Sequence, residues 1–125
     1  MARILVVEDN LDLLTILRDV LSTEHEVRTA RRGEDAIKLA SEETPDLVLL
    51  DLQLPGMDGI EAGRWIKKQA PRPVPILVLT ALASHGDPEA ILASGCCDAY
   101  MAKPAPLEEI RDKVRSLLGE RTPDP

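Results

Sequence analysis

The chain has 125 residues and a mass of 13.7 kDa, enough for one three-layer core but too little for a catalytic domain with a partner module. Its residues are 44% apolar, drawn mainly from Leu, Val, Ile and Ala with one Trp, one Tyr and no Phe, which suits helices packed over a parallel sheet. A formal net charge of -7 argues against direct nucleic-acid binding, which needs clustered Lys and Arg, and favours protein partners or a cation.

Ile4 to Val7 is an apolar run that ends in Glu8 and Asp9. Leu13, Leu14, Leu17, Val20 and Leu21 then recur at spacings of three and four, predicting an amphipathic helix from about Leu11 to Ser22 capped by Asn10. Glu26 to Thr29 alternates as an edge strand would, and Gly33 precedes a second helix carrying Ala36, Ile37 and Ala40. Pro45 ends that connection. Leu47 to Leu50 are four consecutive apolar residues, too few for a helix, and read as a strand buried on both faces. The run stops at Asp51, and Pro55, Gly56 and Gly59 follow, so Asp51 is expected in a loop rather than in the core.

Asp58 can cap a third helix reaching about Lys68, with Ile60, Gly63 and Ile66 on its buried side and Lys67 and Lys68 in its last turn. The prolines of PRPVP force an extended entry to a strand from Ile76 to Leu79, which leads into Thr80. ALASHG reads as a loop. Asp87 and Pro88 open a short helix to about Ser94, closed by Gly95. Asp98 to Ala102, with Tyr100, is a last short strand ended by Lys103 and Pro104. Leu107, Ile110, Val114, Leu117 and Leu118 space out a final helix that Gly119 and TPDP terminate.

One domain over residues 3–119 and a tail over 120–125 follow, with no repeat and no internal linker. The apolar runs fall far short of membrane-spanning length and no signal peptide is evident, so a cytoplasmic protein is expected. Cys96 and Cys97 are adjacent and cannot build a disulfide scaffold; they read as small reduced residues at a helix-to-strand turn.

Five strands alternating with five helices predict a doubly wound α/β domain. Right-handed βαβ crossovers make such a sheet parallel and bring the strand C-termini to one edge. Glu8, Asp9, Asp51, Thr80 and Lys103 all sit at strand ends and so converge there. Two carboxylates about 4 Å apart repel by roughly 4 kcal/mol at an effective dielectric near 20, so three of them with one lysine call for a cation. Oxygen-only ligands favour Mg²⁺, whereas zinc would want His or Cys. A metal, a lysine and a hydroxyl around a carboxylate suit phosphoryl transfer, with Asp51 the best nucleophile candidate. Each residue alone is more often a cap or turn former than a functional group, by roughly two to one; five on one edge are not easily explained that way.

These residues give the chain a resemblance, over nearly its whole length, to response-regulator receiver domains of two-component signalling. The pattern is the acidic pair Glu8 and Asp9, Asp51 followed by LPGMDG, Thr80 followed by Ala81, and Lys103 followed by Pro104. Glu rather than Asp at position 8 is a departure that leaves the core mechanism intact. The resemblance implies a flavodoxin-like sheet of order 2-1-3-4-5. It also implies that Asp51 accepts a phosphoryl group from a phosphohistidine on a sensor histidine kinase or histidine phosphotransfer protein. Mg²⁺ would be held by Asp9, Asp51 and the Gln53 carbonyl, with Glu8 acting mainly through water. Lys103 would pair with phosphoryl oxygens, and its bond to Pro104 would be cis. Thr80 and Tyr100 would move together as the switch, changing a protein-binding surface of the fourth helix, last strand and last helix; dimerisation through it is possible. Gln53 and Leu82 would flank the water that ends the signal. Such a protein is no enzyme beyond its own phosphorylation and dephosphorylation.

A flavodoxin-like nucleotide-binding enzyme would share the topology, but neither GxGxxG nor GxxxxGK(S/T) follows the first strand. A phosphatase with an aspartyl intermediate lacks an evident second acid. Within the receiver reading, Met1 two residues before the first strand favours a stand-alone regulator over a receiver excised from a hybrid kinase or larger regulator, and TPDP fits either a terminus or a linker.

Overall fold

In the computed structural model, which describes residues 2–81 and 87–119, the three apolar runs become the three central strands. The chain runs β1 (Arg3–Val7), α1 (Leu11–Leu21), β2 (Glu26–Ala30), α2 (Gly33–Glu42), β3 (Leu47–Leu50), α3 (Gly59–Gln69), β4 (Ile76–Ala81), α4 (Pro88–Ala93), β5 (Ala99–Lys103) and α5 (Leu107–Leu117). All four strand pairings are parallel and the sheet order is β2-β1-β3-β4-β5, the doubly wound arrangement predicted.

Alternation along the strands divides the core in two, because successive side chains leave a pleated strand on opposite faces. Ile4, Val6, Leu47, Leu49, Leu77 and Leu79 face Leu14 and Leu17 of α1 and Ile110 and Val114 of α5. Leu5, Val7, Val48, Leu50, Ile76 and Val78 face Ala36 and Ala40 of α2, Ile66 of α3 and Ile91 of α4. Each fully buried aliphatic side chain contributes about 1.5–3 kcal/mol of transfer free energy, so a strand buried on both faces is held firmly in place.

Helix starts lie where the caps predicted. The side chain of Asn10 accepts from the Leu13 N–H at 3.0 Å, Asp58 from Ile60 at 2.9 Å and Asp87 from Glu89 at 3.0 Å. Strand ends differ from the apolar runs. Thr80 lies inside β4, paired with Ala102, and Lys103 is the last residue of β5, opposite Ala81. Backbone ladders bond regardless of side-chain polarity, so pairing continues past the last apolar residue. Asp98 lies just outside β5, its carboxylate accepting from the Ile76 N–H at 2.8 Å and from Lys67 Nζ at 2.6 Å.

Cys96 and Cys97 are free and buried in the turn between α4 and β5. A Cβ on Gly63 would lie 2.5 Å from the Cys96 carbonyl oxygen, so α3 packs directly against this turn. No described helix is long and apolar enough to cross a membrane.

Candidate functional site

Backbone bonds deliver the acids to one edge. The Glu8 N–H extends the β1–β2 ladder to the Ala30 carbonyl at 3.0 Å, and the Asp51 N–H donates to the Val7 carbonyl at 2.9 Å. Both acids are therefore held at the C-terminal edge of the sheet, where Lys103 of β5 reaches the two of them and Thr80 of β4 reaches Asp51. Asp51, expected in a loop rather than in the core, does follow the end of β3 but is only 5% exposed, since the segment after it folds back: Leu52 is buried and its carbonyl accepts from the Gly59 N–H at 3.2 Å.

Lys103 Nζ lies 2.6 Å from Glu8 Oε1 and 2.8 Å from Asp51 Oδ2, bridging residues 95 and 52 positions away. Asp51 Oδ1 accepts from the Thr80 hydroxyl at 2.9 Å and from the Gln53 N–H at 3.0 Å. Glu8 Oε2 accepts from the Asn10 N–H at 3.0 Å. Two buried carboxylates thus share one ammonium, which leaves a net negative charge in a poorly solvated place.

Titration follows from this imbalance. Burial raises the Glu8 carboxyl above its ordinary value, with Asp51 adding to the effect and the bonds from Lys103 and the Asn10 N–H opposing it. Burial works against charge on Lys103, but its bonds to Asp51 and Glu8 together outweigh burial and raise the ammonium. Because folded Glu8 holds its proton more tightly than the unfolded chain does, its contribution to stability declines as pH rises from 4.5 through the raised folded value. The stability of the wild type relative to Glu8→Gln should therefore fall as the pH is raised from 4.5. Melting temperatures of the two proteins over that rise in pH check this, and a constant difference would refute it.

The other predicted site residues are placed differently. Asp9 does not join the buried group: its carboxylate is half exposed and lies 3.9 Å from the Arg31 guanidinium, which also donates to the Asp9 carbonyl from Nε at 3.3 Å and Nη2 at 3.1 Å. Among the described residues no set of three acidic, His or Cys side chains is gathered closely enough to hold a metal ion. Arg31 escaped the sequence reading, although it follows β2 at the same sheet edge as the predicted site residues. Gln53 is exposed and meets the site through its N–H. Tyr100 is half-buried in β5, its hydroxyl buried without a hydrogen-bond partner among the described residues. The Lys103–Pro104 bond is cis. Leu82 lies outside the described residues.

The chemistry of Glu8, Asp9 and Asp51, though not their spacing in this arrangement, suits a hard divalent cation. Every candidate ligand is an oxygen, and Glu8 and Asp51 carry more negative charge than Lys103 offsets.

Residues 4–115 match the response regulator receiver domain family. The polar-differentiation response regulator DivK of Brucella anthropi is 36% identical over 119 residues, spanning 94% of this chain and 96% of that protein. Among solved structures, the receiver domain of the Pseudomonas aeruginosa sensor histidine kinase PA1611, described with magnesium in its active-site cleft, is 35% identical, with a TM-score of 0.84, 95% of this chain and 98% of that one covered. A CheY-like receiver domain protein from Methanospirillum hungatei superposes with a TM-score of 0.87 at 26% identity, over 95% of this chain and 94% of its own. A parallel sheet whose edge gathers Glu8, Asp51, Thr80 and Lys103, and a family match across nearly all of it, make this chain a member of the response-regulator receiver domains of two-component signalling.

Proposed function

We propose that Asp51 is the phosphoacceptor of this receiver, a reading carried by one observation: its buried carboxylate is held between the Lys103 ammonium and the Thr80 hydroxyl. A carboxylate oxygen of Asp51 attacks the phosphorus of a phosphohistidine, the P–N bond breaks, and the imidazole leaves with the bonding electron pair. Lys103 offsets charge on the transferred group, and Thr80 turns its hydroxyl toward the new phosphoryl oxygens. Asp9, Asp51 and the Gln53 carbonyl would hold Mg²⁺, with Glu8 acting mainly through water, and when bound the ion adds positive charge for that group. The test is incubation with acetyl phosphate and Mg²⁺ followed by intact mass, which should show one added phosphoryl group.

The donor is a sensor histidine kinase or a histidine phosphotransfer protein. The readout is a downstream protein that meets the face of α4, β5 and α5, where the Tyr100 hydroxyl, bonded to none of the described residues, gives the switch a polar group to reposition. Catalysis extends only to the chain's own phosphorylation and its reversal. Relatives of both origins, a polar-differentiation regulator and a sensor-kinase receiver, match nearly full length, so the fold serves equally in either setting.

The signal ends when water attacks the phosphorus and the bond to Asp51 breaks. Gln53 can orient water but is a poor base, and Leu82 can neither orient it nor accept its proton. Leu82→Asn should therefore dephosphorylate roughly tenfold or more faster than the wild type. An unchanged or slower loss of the phosphoryl group, with Mg²⁺ affinity intact, would rule out position 82 as the gate.

A further inference from the structure

We propose that Arg31 is a positioning residue that competes with a divalent cation for Asp9 and so weakens the site's Mg²⁺ affinity; this rests on the reading of the site given above. Arg31 follows β2, the strand at the far side of β1 from β3, and reaches back across the edge to the loop after Glu8. Its guanidinium is anchored twice on the Asp9 carbonyl, at 3.1 and 3.3 Å, and those bonds hold it within 3.9 Å of the Asp9 carboxylate. The acid with most freedom to serve a cation is thus the one already facing a fixed positive charge, while Glu8 and Asp51 face Lys103.

Two consequences compete, and magnitude decides between them. The carbonyl bonds order the loop, which would favour any ligand that Asp9 helps to hold. Against that, a cation entering the edge must share the carboxylate with Arg31 and endure its charge. The Glu8 N–H bond to Ala30 and the Asn10 N–H bond to Glu8 order the same loop independently, so losing the Arg31 bonds leaves it shaped. The electrostatic effect therefore prevails. Because Arg31 and Asp9 are 53% and 51% exposed, solvent limits its size to a few-fold change.

Isothermal titration with MgCl₂ tests this on the wild type, Arg31→Met and Arg31→Lys. At low ionic strength Arg31→Met should bind Mg²⁺ about two- to fivefold more tightly than the wild type, and Arg31→Lys should stay close to it. The gain should shrink toward zero near 1 M monovalent salt, where the screening length is only about 3 Å. It should also shrink in an Asp9→Asn background, because the competition then has no carboxylate to act on. Equal or weaker binding by Arg31→Met would overturn the proposal, as would a gain that salt and Asp9→Asn leave untouched. Failure of every protein, wild type included, to bind Mg²⁺ would instead overturn the underlying reading of the site, and this inference with it.

Discussion

Asp51→Asn is expected to gain no phosphoryl group under conditions in which the wild type gains one, read as intact mass after acetyl phosphate and Mg²⁺. The substitution is nearly isosteric, and the amide oxygen can still accept from Thr80 and the Gln53 N–H, now at 2.9 and 3.0 Å. What disappears is the anion. An amide oxygen is a far weaker nucleophile than a carboxylate, and loss of the attacking group in covalent catalysis costs at least about 10⁴-fold in rate. Glu8 is the nearest alternative acceptor, but one oxygen is bonded to Lys103 and the other to the Asn10 N–H. Folding should survive, because removing one of two buried carboxylates leaves Glu8 and Lys103 as a balanced pair. Equal phosphorylation of Asp51→Asn would show that another residue is the acceptor.

Gly59→Ala should lower stability by about 2–3 kcal/mol, the upper part of the range for forced overpacking, and the melting temperature by roughly 6–12 °C for a domain of this size. A Cβ on Gly59 would lie 2.4 Å from the Leu52 Cα, 2.7 Å from the Asp51 carbonyl oxygen and 2.9 Å from that of Leu52. All three obstacles are backbone, so no side chain can rotate aside. Alanine's better helix propensity offsets at most about 1 kcal/mol. The first turn of α3 must therefore lift from the loop that buries Asp51, and phosphorylation should slow as well. Gly95→Ala supplies the comparison, for its Cβ meets nothing within 4 Å and only its φ of +81° resists the change, at about 1 kcal/mol. A melting temperature for Gly59→Ala no lower than that of Gly95→Ala would show that the close approach is relieved cheaply.

Most of the architecture is legible locally. The runs Ile4 to Val7, Leu47 to Leu50 and Ile76 to Leu79 are central strands, and Asn10, Asp58 and Asp87 are caps, because burial and capping are set by neighbouring residues in the chain. Strand ends are less so. Thr80 and Lys103 belong to β4 and β5 because each strand extends the other's ladder, a pairing no local window contains.

Within the site, the sequence alone determined which groups reach the edge: Glu8, Asp51, Thr80 and Lys103, each placed where an apolar or paired strand runs out. Tertiary structure decided how they pair. Lys103 divides itself between Glu8 and Asp51, the backbone around Gly59 closes over Asp51, and Arg31 draws Asp9 to the rim. Position at a strand end follows from periodicity, a property of the local chain, but a charged group bonds whichever partner the strand register and loop path bring within about 3 Å, and those are settled only when the whole sheet assembles.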